Sequence, residues 1–162
     1  VKTIPLTQGR EAIVDDCDYE YLMQWKWQFH ARRSTGYAKR IGCVSGKRQR
    51  IFMHRLVAER SGLNARDRDV DHVDGSGVNN QRNNLRIATR GQNNVNSKRP
   101  KNNTSGFKGV YRHAQVDKWC AQIGVAGRRL YLGYFDDPHE AARAYNEAAL
   151  NHYGEFACLN PV

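Results

Sequence analysis

The sequence predicts an α+β chain in three parts: a β-rich N-terminal region, a strand–loop–strand–helix module, and a three-stranded antiparallel sheet packed on one helix. Three observations predict it. Short strand-like runs bounded by Gly, Ser and Asn recur before residue 53 and again after residue 106. Ala141, Ala144, Tyr145, Ala148 and Ala149 form an apolar stripe at spacings of three and four, which is helical. Residues 98–105 (KRPKNNTS) hold no apolar side chain and read as a linker. The boundaries are therefore 1–53, 54–97, 98–105 and 106–162.

In the first part, Ile4 and Leu6 start a strand, the chain turns at Gln8-Gly9, and Ala12 to Val14 continue it. Asp16 to Trp25 reads as a short helix. Lys26 to Arg32, Gly36 to Cys43 and Arg48 to Phe52 read as three strands, joined at Ser34-Thr35-Gly36 and Ser45-Gly46. Arg32, Arg33, Lys39, Arg40, Lys47, Arg48 and Arg50 stud them, as a solvated face or as a ribbon along phosphates. Met53 to Arg60 has helical spacing. Asp69 to Val73 reads as a strand, Asp74 to Asn83 as a polar loop and Asn84 to Thr89 as a second strand. Thr89 with Gln92 forms a capping box that starts a helix through Asn93 and Asn96. After the linker come strands at Phe107 to Arg112, Trp119 to Gly124 and Arg129 to Phe135. Asp137-Pro138-x-Glu140 then opens the last helix and Gly154 ends it.

The chain has 162 residues, with 26 Lys and Arg against 16 Asp and Glu, a formal charge of +10. The excess lies in the first hundred residues. A polyanion is the default partner of such a chain, because each neutralised phosphate releases counterions. No apolar run is long enough to span a membrane and no signal-peptide pattern opens the sequence. Four scattered cysteines form no C-x-x-C knuckle or disulfide framework, so the expected setting is intracellular and reducing.

Four residues of the middle part belong together: Asp71, His72, Asn84 and Asn93. Phosphodiester hydrolysis needs a cation at the phosphate and a base for the attacking water. Mg²⁺ keeps several waters, so a carboxylate (Asp71) with a neutral amide oxygen (Asn93) suffices. His72 follows Asp71 and so points to the opposite face of a strand. Its imidazole titrates in the neutral range, and Asn84 can orient it through the other ring nitrogen. An EF-hand loop from Asp69 is excluded, because its sixth and twelfth positions are Asp74 and Asn80. Asn79, Asn80 and Asn83 read as turn formers. His54 and Asn96 are candidates for support of the metal site or contact with DNA, His54 reading more readily as structural. Trp25, Trp27 and Tyr145 read as core, and Trp119 either stacks on DNA or packs on the helix.

The run Asp71-His-Val-Asp-Gly through Asn84-Leu-Arg to Asn93, with His54-Arg-Leu-Val before it, resembles the HNH motif of phage and intron homing endonucleases. The resemblance implies a ββα-metal fold around one Mg²⁺ or Mn²⁺. It implies Asp71 and Asn93 as ligands, His72 as base and Asn84 as its orienter. Ile4-Pro-Leu-Thr-Gln-Gly and Val14-Asp-Asp-Cys-Asp-Tyr also resemble the N-terminal region of the phage branch. The last part resembles the AP2 (ethylene-response-factor) DNA-binding domain, through Gly109-Val-Tyr, Lys118-Trp119, Arg129-Leu-Tyr-Leu-Gly-Tyr-Phe135, Glu140-Ala-Ala-Arg-Ala-Tyr145 and Leu159-Asn160. That family lays its sheet in the major groove, which suggests Lys108, Arg112, Trp119, Gln122, Arg129 and Tyr131 as DNA contacts. Tyr131 replaces a usual Trp and Gly124 a common Arg, so the binding mode carries over and the sequence preference does not. Lys98, Arg99 and Lys101 make the linker a cationic strap for a groove.

The expected function is a metal-dependent endonuclease on double-stranded DNA, in a phage-infected or bacterial cytoplasm, with no small-molecule cofactor. One constellation per chain gives one nick per docking, and a double-strand break requires a dimer or reorientation. The alternatives are a non-cleaving DNA-binding regulator on a nuclease-like scaffold and, third, an RNA binder.

Overall fold

The computed structural model describes residues 1–32, 35–97, 99–100 and 102–162. Arg33, Ser34, Lys98 and Lys101, expected in the basic ribbon, a turn and the strap, lie outside the described residues. The chain divides into two compact units, 1–93 and 94–162. The architecture is the α+β arrangement expected, with N-terminal sheets and a C-terminal three-stranded sheet packed on a long helix. Among the described residues no helix is long and apolar enough to cross a membrane.

In the first unit β1 (Lys2–Pro5) pairs antiparallel with β2 (Glu11–Val14), and α1 (Asp16–Leu22) follows. Strands β3 (Gln28–Ala31), β4 (Gly36–Val44) and β5 (Lys47–Phe52) form an antiparallel sheet with β4 central. Helix α2 (Met53–Arg60) buries Met53, His54, Val57 and Ala58 on one face. Strands β6 (Asp69–His72) and β7 (Leu85–Ala88) pair antiparallel, and α3 (Arg90–Val95) follows. The capping box forms as expected: the Thr89 N–H donates to Gln92 Oε1 (2.8 Å) and the Gln92 N–H to Thr89 Oγ1 (3.3 Å).

One core serves the whole unit. Ile4, Val14, Leu22 and Trp27 of the β-rich region pack with Met53, Val57, Val70 and Leu85 of the following module. Burial of each large aliphatic side chain contributes about 2 kcal/mol. The two regions are also stitched by backbone. The Ile13 N–H donates to the Val78 carbonyl (2.8 Å), and the Asn80 N–H donates to the Ile13 carbonyl (2.7 Å). Asp18 on α1 is wholly buried. It accepts Arg82 Nε (2.7 Å) and Nη2 (2.8 Å) and Arg60 Nε (2.9 Å). The Arg82 bonds, with those of Arg60, hold its carboxyl below the usual carboxylate range despite burial. Arg40, expected in the basic ribbon, instead lays its guanidinium over Trp25 at 4.2 Å.

In the second unit β8 (Val110–His113), β9 (Lys118–Val125) and β10 (Arg128–Phe135) form an antiparallel sheet with β9 central. Helix α4 (Pro138–Tyr153) packs on it. Asp137 Oδ1 caps α4 by accepting the His139 N–H (2.9 Å), and Pro138 opens it. Ala141, Ala142 and Ala149 are fully buried, so the helix approaches the sheet closely. Gly154 ends it at φ +53°. The chain end is tied back by Asn160, whose Oδ1 accepts the Lys108 N–H and whose Nδ2 donates to the Lys108 carbonyl.

Asp18→Asn is expected to lower stability by about 2 kcal/mol at pH 7, the worth of a charge-assisted bond. A carboxyl held low in the fold stabilises fully above its unfolded pKa and loses that contribution as pH falls through the folded value. The gap between wild type and variant in urea denaturation should therefore be full at pH 7 and shrink below about pH 4.

Candidate active site and nucleic-acid face

Asp71 and His72 end β6, and both are 4% exposed. Asp71 stands directly opposite Arg86 in the β6–β7 ladder. Its Oδ2 accepts Arg86 Nε (2.9 Å) and Nη2 (2.8 Å). Asp69, two residues earlier on the same strand face, accepts Asn93 Nδ2 from α3 at 3.1 Å. Asp69, Asp71 and Asn93 thus gather where the strand meets the helix. Their donors are hard oxygens. Among the described residues no group of three His, Cys, Asp or Glu surrounds one point.

The His72 ring is packed on two sides, with Tyr37 at 5.8 Å and His54 edge-on at 5.1 Å between centroids. Burial lowers its pKa, against the Asn80 hydrogen bond and the Asp74 and Asp71 carboxylates, which raise it. Burial pushes His54 down to about 3, with the nearby His72 and Arg55 acting in the same direction. Both rings are therefore neutral near pH 7. A cavity of about 600 Å³ opens beside His54, lined by Arg32, Tyr37, His54, Arg55, Asp69 and Asn93 among others.

The direct bond expected from Asn84 to His72 is absent. Asn84 Oδ1 accepts the Asp74 N–H (3.0 Å), and its Nδ2 donates to Asp74 Oδ1 (3.0 Å) and the Asn79 carbonyl (2.8 Å). Its amide closes the loop instead. Asn80 stands at the imidazole, with its Oδ1 3.4 Å from His72 Nε2. Asn80 is wholly buried, and its amide also donates to the Val78 carbonyl (3.1 Å). Burial works to raise the Asp74 carboxyl, but bonds from Asn79, Ser76 and Asn84 outweigh it and the net shift is downward.

In the second unit the sheet has a helix face and an open face. Trp119 packs against Val110, Ala121, Ala141 and Ala142. Arg112, opposite Trp119 in the ladder, lies over its ring at 5.4 Å and bonds Asp117 (Nη2 2.6 Å). Lys108 Nζ donates to the carbonyls of Val95 (2.6 Å) and Ser97 (2.7 Å). These three expected DNA contacts are engaged within the unit. Gln122 and Tyr131 face each other on the other side of the sheet, with Arg129 opposite Gly124. Tyr131 is 56% exposed, and Arg129 is exposed. Tyr111 and Tyr134 flank Cys120 on that same face, and the His113 ring lies 5.2 Å from Tyr134. Arg99 is exposed and Asn96 buried in this unit.

The comparisons with known proteins agree with this division. No family model matches the chain. The chain is 30% identical over 156 residues, 96% of its length, to an uncharacterized HNH endonuclease of Acanthamoeba polyphaga mimivirus, and covers 77% of that protein. It is 38% identical over 61 residues to APETALA2-like protein 2 of rice, spanning only 14% of that protein's length. Protein 3.8 of Escherichia phage T7 is 37% identical over 60 residues, half of its length. The chain belongs to the HNH endonuclease family, with an AP2-like C-terminal domain. Its candidate catalytic residues cluster as in HNH nucleases.

Three features escaped sequence reasoning. Asp69 bonds the expected ligand Asn93, Asn80 stands at His72, and Tyr134 joins the open face. Tyr111 was accessible from alternation with Val110, which is buried. Tyr134 was not, because a bulge between Tyr131 and Gly133 shifts the register by one residue. Gly133 sits there at φ +136°, a backbone angle that favours glycine.

Asn84→Ala is expected to raise amide exchange at Asp74 and along the loop, measured by hydrogen–deuterium exchange, whereas an asparagine acting only on the imidazole would leave those amides protected. In the second unit, Trp119→Ala should lower stability by about 3 kcal/mol as a core truncation. Tyr131→Ala, on the open face, should change it by less than about 0.5 kcal/mol in the same denaturation assay.

Proposed function

We propose that the chain is a metal-dependent DNA endonuclease that hydrolyses a phosphodiester bond at a recognised duplex site, in the manner of homing endonucleases. The observation that carries it is the buried Asp71–His72 pair at the end of β6, with Asn93 of α3 bonded beside it at Asp69. The oxygen donors present fit Mg²⁺ or Mn²⁺, which keep water and phosphate oxygens in their shell. Asp71 and Asn93 would hold the ion, next to Arg86. Bound there, it supplies charge compensation at the phosphate.

His72 is the base. Its Nε2 lies 3.4 Å from Asn80 Oδ1, which helps to fix the orientation of the ring. Burial keeps the ring neutral and ready. Asn84 acts through the loop that carries Asn80. The second unit holds the duplex, through Gln122, Arg129 and Tyr131 with Tyr111, His113 and Tyr134 beside them. Lys98, Arg99 and Lys101 add positive charge in the sequence ahead of β8. Relatives from a giant virus and a phage support a setting inside an infected or bacterial cell.

A second reading, a DNA-binding regulator without cleavage, is favoured by the Arg86 guanidinium seated on Asp71. Incubation of supercoiled plasmid with Mg²⁺ or Mn²⁺ separates the two. Wild type should nick it, and His72→Ala should bind DNA but cut about 1,000-fold more slowly. The rate should rise with pH as His72 loses its proton, with a midpoint below the ordinary imidazole value of about 6.5, since burial lowers that pKa. Equal cutting by both proteins removes His72 from the chemistry. Salt-dependent binding without cleavage in either metal establishes the regulator.

A further inference from the structure

His54 is a buried polar group of the first unit that the hydrolytic reading leaves unused. It is 9% exposed, and its Nδ1 is buried with no hydrogen-bond partner. The ring is fixed by stacking on Phe52 (5.5 Å, 26°), by Tyr37 at 5.5 Å and by the edge of His72 at 5.1 Å. A buried polar atom without a partner costs about 1–3 kcal/mol and calls for an explanation. An orphaned N–H is rarer than an under-used acceptor, so the neutral ring carries its proton on Nε2. Nε2 is not closed off as Nδ1 is, and the ring lines the cavity.

The other walls of that cavity match a particular ligand. Arg32 and Arg55 bring two guanidinium groups. Arg55 is held in place by the carbonyls of Ala65 and Arg68. Asp69 and Asn93, bonded to each other, bring the candidate metal side of the site to the same space. A fixed neutral donor, two cations and a flanking cation site together suit a phosphate oxygen. Being neutral, His54 donates without competing with His72 for the proton of water.

We propose that this cavity seats a backbone phosphate of the nucleic-acid substrate, with His54 Nε2–H donating to a non-bridging oxygen. The assignment to substrate rests on the nuclease reading, whereas the seat itself can be tested without cleavage. The full chain, labelled with ¹⁵N and free of divalent metal, is titrated with inorganic phosphate against chloride at matched ionic strength. The His54 ring signals are identified by their loss in His54→Phe, which keeps the stacking on Phe52. The expected result is a saturable shift of His54 Nε2 at millimolar phosphate and none in chloride. Plasmid cleavage by His54→Phe should be about 100-fold slower, the usual effect of losing one donor to a developing anion. His54→Gln, which retains an N–H donor, should recover part of it. A His54 signal indifferent to phosphate in a chain that cuts DNA overturns the seat and leaves the nuclease reading intact. A saturable shift in a chain that cuts nothing keeps the seat and removes the nuclease reading.

Discussion

A buried carboxylate organises the first unit. Asp18 lies on a seven-residue helix near the N-terminus, yet it receives guanidinium groups from Arg60 at the end of α2 and Arg82 just before β7. An unpaired charge in that position would be strongly unfavourable, so the three elements are held together or none is placed. Asp15 adds to the clamp by accepting the Arg82 N–H (2.8 Å) and Gln81 Nε2 (3.2 Å). The loop between β6 and β7 is thereby anchored at one end to the N-terminal region. Its middle is pinned to β2 by the two backbone bonds at Ile13. Asn80 can stand against His72 only because this loop is immobilised on both sides.

Two imidazoles are kept neutral in a strongly basic molecule. Packing does this more than charge does. Tyr37, Phe52, His54 and His72 form one aromatic cluster, and burial within it disfavours the protonated rings. Carboxylates nearby serve different ends. Asp74 is drawn into the loop by Asn79 and Asn84, Asp69 orients Asn93, and Asp71 faces Arg86. Four carboxylates of similar intrinsic acidity, with Asp18 the fourth, thus divide into structure and site according to the donors around them.

The second unit solves a different problem. It presents a polar sheet face while its small size limits the core. Alanines on α4 allow close packing, and Trp119, Leu132 and Phe135 supply the bulk. The opposite face then carries Tyr111, Gln122, Tyr131 and Tyr134. Tyr131 and Tyr134 contact each other edge-on at 5.1 Å, although three positions separate them in sequence. The bulge at Gly133 makes that possible. Aromatic side chains present broad surface at little entropic cost, and here they stand beside the exposed Arg129.

Much of the fold was legible because its rules are local. The capping box at Thr89 and Gln92, the Asp137-Pro138 start of α4 and the stop at Gly154 each act within a few residues. Strand and helix order followed from periodicity, and Asp71, His72 and Asn93 followed from residue type and spacing. Tertiary structure alone decided the rest. Asn80 rather than Asn84 reaches the imidazole because the loop is pinned to Ile13, some 65 residues earlier in the chain. Arg112 and Trp119 turned to the helix face because α4 offered Trp119 a core to enter. Asp18 became a clamp because two arginines more than 40 residues away converge on it. Contacts of that range depend on how the elements meet, and no pattern within one element encodes them.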